Sequence, residues 1–163
     1  MPLDVTLYKN AMRRFPGGVC LITSTGKNGH RNGLTATAVC SVTVEPPTLL
    51  VCVNKSASAH DLVRESGCIA VNIVHSVDAD LAVSFSSAKS GEERFAKGNW
   101  STLITGAPVL ESAAVVFDCK VEQVVDVGSH SIILGVAKNV RISENIDSPL
   151  LYLNGMYGKF QSL

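Results

Sequence analysis

Turn residues divide this chain into hairpins. Gly26-Lys27-Asn28-Gly29 follows the apolar run Val19-Cys20-Leu21-Ile22-Thr23, and Asn154-Gly155 separates a segment around Leu150 to Leu153 from one around Met156 to Phe160. Asn and Gly tolerate the positive φ of a tight antiparallel turn, so each cluster predicts a hairpin. Further strands are expected at Arg31 to Ala38, Ser41 to Val44 (ending at Glu45-Pro46-Pro47) and Cys68 to Val74. Two long ones, Ala113 to Val125 and Ser131 to Val140, join across Val127-Gly128-Ser129-His130. Leu49 to Val53 is continuously apolar, the pattern of a strand buried on both faces.

Helical spacing is confined to short stretches. Val5, Tyr8, Met12 and Phe15 recur at intervals of three and four, which predicts a helix over Asp4 to Phe15, stopped by Pro16-Gly17-Gly18. Ser58, with Asp61 three places on and Gly67 beyond, has the form of a capped short helix. Ser76 precedes Val77, Leu81 and Phe85 at the same period. Ser86 to Asn99 is polar and reads as a surface excursion carrying Arg94, Phe95 and, at its end, Trp100. Roughly six to eight strands that come in hairpins disfavour a doubly wound parallel sheet. The expected fold is mainly β with short helices, an antiparallel barrel closed or nearly closed so that its edges are covered. With 163 residues, one domain over 1–163 is expected.

Composition narrows the function classes. Fourteen Lys and Arg balance fourteen Asp and Glu, which argues against a nucleic-acid protein. Hydrophobic residues make up 46% and charged residues 17%, enough to fill a core and to suggest apolar surface buried between subunits. No apolar run reaches membrane-spanning length, and Met1-Pro2-Leu3-Asp4-Val5 lacks the layout of a secretory signal. Cys20, Cys40, Cys52, Cys68 and Cys119 form no CxxC pair and read as small buried hydrophobes in a reducing compartment, so the expected location is the cytoplasm.

The usual chemical motifs are missing. His30, His60, His75 and His130 are widely spaced, no GxSxG occurs, and neither GxGxxG nor GxxxxGK[ST] is present. Three segments remain. Asn54-Lys55-Ser56-Ala57-Ser58, between a strand and a helix, supplies hydroxyls, backbone N–H groups and an ammonium suited to a phosphate, or else is an ordinary N-cap with a solvated lysine. Gly33-Leu34-Thr35-Ala36-Thr37-Ala38 is small enough to admit a flat ligand, or else packs tightly on its neighbour. His130, in a turn, and Tyr157, near the last hairpin, are each either ligand contacts or routine structural residues.

Taken in order, these pieces resemble a known family. Phe15-Pro16-Gly17-Gly18-Val19, Gly33-Leu34-Thr35-Ala36-Thr37, Ser41-Val42-Thr43-Val44-Glu45-Pro46-Pro47, Val71-Asn72-Ile73, Leu81-Ala82, Phe85, Arg94-Phe95, Trp100, Gly106-Ala107-Pro108-Val109-Leu110, Cys119, Gly128-Ser129-His130 and Pro149-Leu150-Leu151-Tyr152 match the short-chain flavin reductases in order and spacing. Those enzymes supply reduced flavin to two-component monooxygenases. The resemblance implies a Greek-key, FMN-binding type of split β-barrel, a homodimer, FMN or FAD near the subunit interface, and NADH or NADPH as electron donor. Carried over by position, it implies that Thr35, Ala36, Thr37 and Ala38 border the isoalloxazine. Asn54, Lys55, Ser56 and Ser58 would hold the phosphate side, with Phe85 against the cofactor and His130 and Tyr157 facing the nicotinamide. Hydride would pass between the two cofactors, so no catalytic side chain is expected and His130 has a binding role. Two positions depart from the family pattern: Ser129 stands where an Asp is usual, and Thr37-Ala38 where serines are common. Ser129 is what keeps a second reading open, a flavin- or haem-binding carrier or sensor of the same fold. A third, an oxidase of the pyridoxamine phosphate type, would want a second basic cluster that the chain lacks.

Overall fold

The structure, a computed structural model, describes residues 3–87, 91–145 and 148–163. Met1-Pro2 of the opening segment and residues 88–90 of the expected excursion lie outside the described residues. The first helix, α1 (Val5–Met12), is capped by Asp4, whose carboxylate accepts from the Thr6 N–H at 2.8 Å. It ends one turn earlier than its apolar spacing predicts and buries none of its residues.

Strands β1 (Gly17–Gly18), β2 (Cys20–Thr25), β3 (Arg31–Ala36), β4 (Val39–Val44) and β5 (Pro47–Asn54) follow. Helix α2 (His60–Glu65) leads into β6 (Cys68–Ile73), and α3 (Ala79–Ser87) into the short strands β7 (Trp100–Thr102) and β8 (Pro108–Leu110). The two long strands are β9 (Val115–Val127) and β10 (His130–Ile142), and the chain closes on β11 (Leu150–Leu153) and β12 (Met156–Lys159). Seven strands form one antiparallel sheet in the order β3-β2-β6-β9-β10-β5-β4. Its two edge strands are consecutive in sequence and joined by Thr37-Ala38 alone, so the sheet must curl until its borders nearly meet. This is the expected split barrel, open along one seam. A three-stranded sheet, β1-β11-β12, lies beside it.

The period-two alternation of side chains sorts the core into two layers. Cys20 and Ile22 of β2, Ile69 and Val71 of β6, and Leu49, Val51 and Val53 of β5 fill one cluster. Leu21, Cys68 and Ala70 face the opposite way, against Leu81, Ala82 and Phe85 of α3. The hairpin predictions hold. Gly29 has φ 78°, Asn154 and Gly155 have φ 51° and 83°, and Gly128 turns β9 into β10 with φ 53°.

Several expectations need correction. Leu49 to Val53 is buried on one face only, because Leu50 and Cys52 point away from the core. Cys40 is exposed and Cys52 partly so, while Cys20, Cys68 and Cys119 are buried. Ser58 is not a helix cap: α2 starts after Ala59, and the Ser58 hydroxyl is taken by Arg94. The polar excursion turns back into the body of the protein, where a 3₁₀ turn at Glu92–Ala96 buries both Arg94 and Phe95. Phe95 meets Phe85 and Trp100 edge-on, with centroids 5.4 and 4.9 Å apart.

Candidate functional site

Past the end of β5 the chain makes a tight polar loop. The Asn54 side-chain carbonyl accepts from the Ser56 N–H and hydroxyl, each at 2.9 Å, and the Ala57 N–H donates to the Asn54 carbonyl. This loop, β3 and the last turn of α3 enclose a pocket of about 410 Å³. Thr35, Asn54, Ser56, Ser58 and Phe85 line it, so five of the expected residues converge. Thr35 donates its hydroxyl to the Ala82 carbonyl at 2.6 Å, and Phe85 is almost wholly buried.

A separate groove of about 850 Å³ is lined by Thr37, Ala38, Gly17, Gly18, Leu50, Cys52, Tyr152 and residues of α1. Leu50, Cys52 and Asn54 alternate along the same outer face of β5, the first two lining the groove and the third the pocket, so the two lie next to each other on that face. The small residues divide between two jobs. At Gly33 an added Cβ would stand 2.6 Å from the Ile22 carbonyl oxygen and 2.9 Å from Phe85, so that glycine serves packing. At Gly18 an added Cβ would meet no atom within 4 Å, so there smallness leaves open space. Ala36 turns its side chain into the core.

Arg94 also lines the pocket, and the sequence reading gave it no part in the site. Its guanidinium donates to the Asn32 side-chain carbonyl and, at 3.0 Å, to the Ser58 hydroxyl. Asn32 in turn donates to the Ser58 carbonyl at 3.0 Å. Burial pulls the pKa of Arg94 down from its ordinary value, yet a guanidinium stays cationic through such a shift. The pocket lining therefore includes a buried cation bonded to the Ser58 hydroxyl and, separately, the Ser56 hydroxyl held by Asn54. The only sequence signal was the Arg94-Phe95 pair itself, an arginine next to an aromatic in an otherwise polar run.

Other expected residues lie apart from this pocket. Lys55 reaches instead to Asp126, with Nζ 3.6 Å from Oδ1. His130 sits directly across from Asn54 in the β5–β10 pairing and shares its face of the sheet. Its Nδ1 is 2.9 Å from the Ser129 hydroxyl, so Ser129 supplies the orienting contact that an acidic neighbour would otherwise give. Tyr157 lines a separate surface cavity with Ser76, Val77 and Leu150. Its ring packs edge-on against Tyr152, 5.3 Å between centroids, and burial together with Tyr152 raises its pKa. Tyr152 lines the groove, but Tyr157 does not.

Comparison with known proteins returns a consistent picture. The model of the flavin reductase like domain matches residues 12–161. The protein named FMN reductase (NADH) RutF from Pseudomonas syringae pv. syringae is 45% identical over 150 residues, covering 92% of this chain and 83% of that one. The crystal structure of ycdh from Haemophilus somnus superimposes with a TM-score of 0.92 at 37% identity, over 97% of this chain and 100% of that chain. The structure of the flavin reductase PheA2 gives 0.86 at 30% identity, over 98% and 100%.

Proposed function

The chain belongs to the flavin reductase like domain family, and from that premise we propose that it is an NADH-dependent flavin reductase acting on FMN. The observation that carries this reading is the convergence of Asn54, Ser56, Ser58 and the buried Arg94 on one pocket, next to a groove whose lining includes Gly17, Gly18, Thr37 and Ala38. The donor set fits the cofactor: a guanidinium and two hydroxyls suit a phosphate monoester. The open space at Gly18, beside Thr37 and Ala38, suits a planar ring system.

When bound, the flavin supplies the redox centre that accepts hydride from reduced nicotinamide. The protein's part is alignment. Thr35 to Ala38 border the ring through backbone groups and small side chains, and Asn54, Ser56, Ser58 and Arg94 grip the phosphate end. Phe85 closes the pocket from within the core. His130, steadied by Ser129 and on the same sheet face as Asn54, orients the nicotinamide without moving a proton. Because Ser129 already contacts the imidazole, the carrier or sensor reading loses the feature that favoured it.

One domain carries these residues, and a homodimer completes the site. Val5, Leu7, Tyr8 and Met12 of α1, with Phe15 beyond it, are exposed, and Tyr157 lines a cavity with Ser76, Val77 and Leu150, apart from the groove. Reduced flavin would pass to an oxygenase component. A cytoplasmic setting is in keeping with five free thiols. FAD and NADPH are the alternative cofactor and donor. The test is a spectrophotometric assay of purified protein with NADH or NADPH and added FMN, FAD or riboflavin. Flavin-dependent loss of nicotinamide absorbance, fastest with NADH and FMN, is expected. No loss with any flavin refutes the assignment.

A further inference from the structure

Lys55 belongs to the loop that the flavin phosphate would use, yet its ammonium is already engaged by Asp126, near the end of β9. Arg64 of α2 donates to both oxygens of the same carboxylate, at 3.2 and 3.1 Å. A third donor is Ser131, fully buried on β10 and directly opposite Asp126 in the β9–β10 pairing, with its hydroxyl 2.6 Å from Oδ1. Ser131 has one hydroxyl proton and gives it to Asp126. The Nε2 of His60, 2.9 Å from the same hydroxyl, therefore stands as the donor to it. His60 is itself buried, with Nδ1 held 2.9 Å from Asp61. A polar chain thus runs from α2 through the interior, emerges at Asp126 and ends on Lys55. The loop backbone is tied to the same hairpin, since the Lys55 N–H donates to the Ser129 carbonyl at 2.9 Å.

We propose that Asp126, fixed by Ser131 and His60, is a positioning and selectivity residue that competes with the flavin phosphate for Lys55 and so sets how strongly a phosphorylated flavin is preferred over riboflavin. The proposal rests on the reading of the Asn54–Ser58 loop as the phosphate site. The Ser131 hydrogen bond, then the Arg64 and Lys55 charges, hold the Asp126 carboxyl below the usual range, so it is anionic at neutral pH. Exposed ion pairs between flexible side chains are loose and weak. Here one partner is pinned from behind, so Lys55 has a standing acceptor that an incoming phosphate must share or displace.

The discriminating variant is Asp126→Asn, which keeps an oxygen for the Ser131 proton and removes the charge. Dissociation constants for FMN and riboflavin are read from quenching of flavin fluorescence by the purified protein. Expected is an FMN Kd about three-fold lower with riboflavin unmoved, a size in line with exposed ion pairs. Adding Lys55→Ala in the same chain abolishes that gain. Equal shifts for both flavins, no shift, or a gain that survives in the double variant overturns the proposal. Lys55→Ala alone separates two failures. If it leaves the FMN-to-riboflavin ratio unchanged, the phosphate reading of the loop falls and the inference with it. If it lowers the ratio while Asp126→Asn does not raise it, the role of Asp126 alone is overturned.

Discussion

Gly33→Ala would damage the fold and the pocket together, and the size of the damage follows from three contacts. The new methyl would stand 2.6 Å from the Ile22 carbonyl oxygen, 2.9 Å from Phe85 Cε1 and 3.2 Å from Thr23 Cγ2. Ile22 cannot retreat, because β2 is hydrogen-bonded to β3 on one side and β6 on the other. Phe85 is backed by Trp100 and Phe95, each with its ring centroid 5.4 Å away. Overpacking of this kind costs about 1–3 kcal/mol, and a site pinned by backbone belongs at the upper end. Loss of unfolded-state freedom returns about 0.4–1 kcal/mol, leaving a net loss of about 2 kcal/mol. At about 2–4 °C per kcal/mol for a domain of this size, the melting temperature should fall by roughly 4–8 °C. Thermal unfolding followed by circular dichroism measures this, and flavin affinity should weaken as Phe85 is displaced. Gly18→Ala is the matched control. Its methyl meets nothing within 4 Å but enters the groove, so the melting temperature should hold while the flavin Kd rises. Equal melting shifts for the two variants, or an unaltered Gly33→Ala protein, would refute the reasoning.

Other perturbations test other parts. Arg94→Met should raise the FMN Kd by about ten- to a hundred-fold, in line with the roughly 1.5–3 kcal/mol of a hydrogen bond to a charged group. Riboflavin should move far less, and titration with both flavins checks it. His130→Ala should raise the apparent nicotinamide KM with flavin affinity nearly intact; stopped-flow reduction identical to the parent would remove His130 from the site. Burial pushes the Cys20 and Cys119 thiols from 9.0 up to about 12. The unfolded chain therefore loses these protons first, and stability present below pH 9 should drain away as pH climbs from there toward 12. Replacing both with Ala should flatten that alkaline limb in pH-dependent melts.

Local chemistry made the hairpins readable. Asn154-Gly155 and the Gly26–Gly29 cluster turn the chain whatever surrounds them, and Gly29 and Gly155 adopt positive φ as their type allows. The segments that bring Thr35, Asn54, Ser56 and Ser58 together were legible for the same reason, each lying at the end of a clear strand. What escaped depends on partners far along the chain. Arg94 and Phe95 sit in a polar run and look exposed until Asn32 and Ser58, 62 and 36 residues away, draw the arginine inward. Lys55 looked available because nothing nearby in sequence shows that Asp126 would reach it. The apolar run at Leu49 to Val53 misled in the opposite sense. Hydrophobicity alone does not tell a core-facing valine from a Leu50 or Cys52 that lines a groove.

The link between β3 and β4 also limits what this enzyme can be asked to accept. Ala36 and Val39 stand on opposite borders of the sheet, and three Cα-to-Cα steps of extended chain reach roughly 10 Å. Covalent bonds, rather than packing forces, thus cap how far the seam can gape at that end, and no ligand can pry it wider. An insertion of one or two glycines beside Ala38 would lengthen this leash directly, which makes it the shortest engineering route to a reductase for bulkier ring systems.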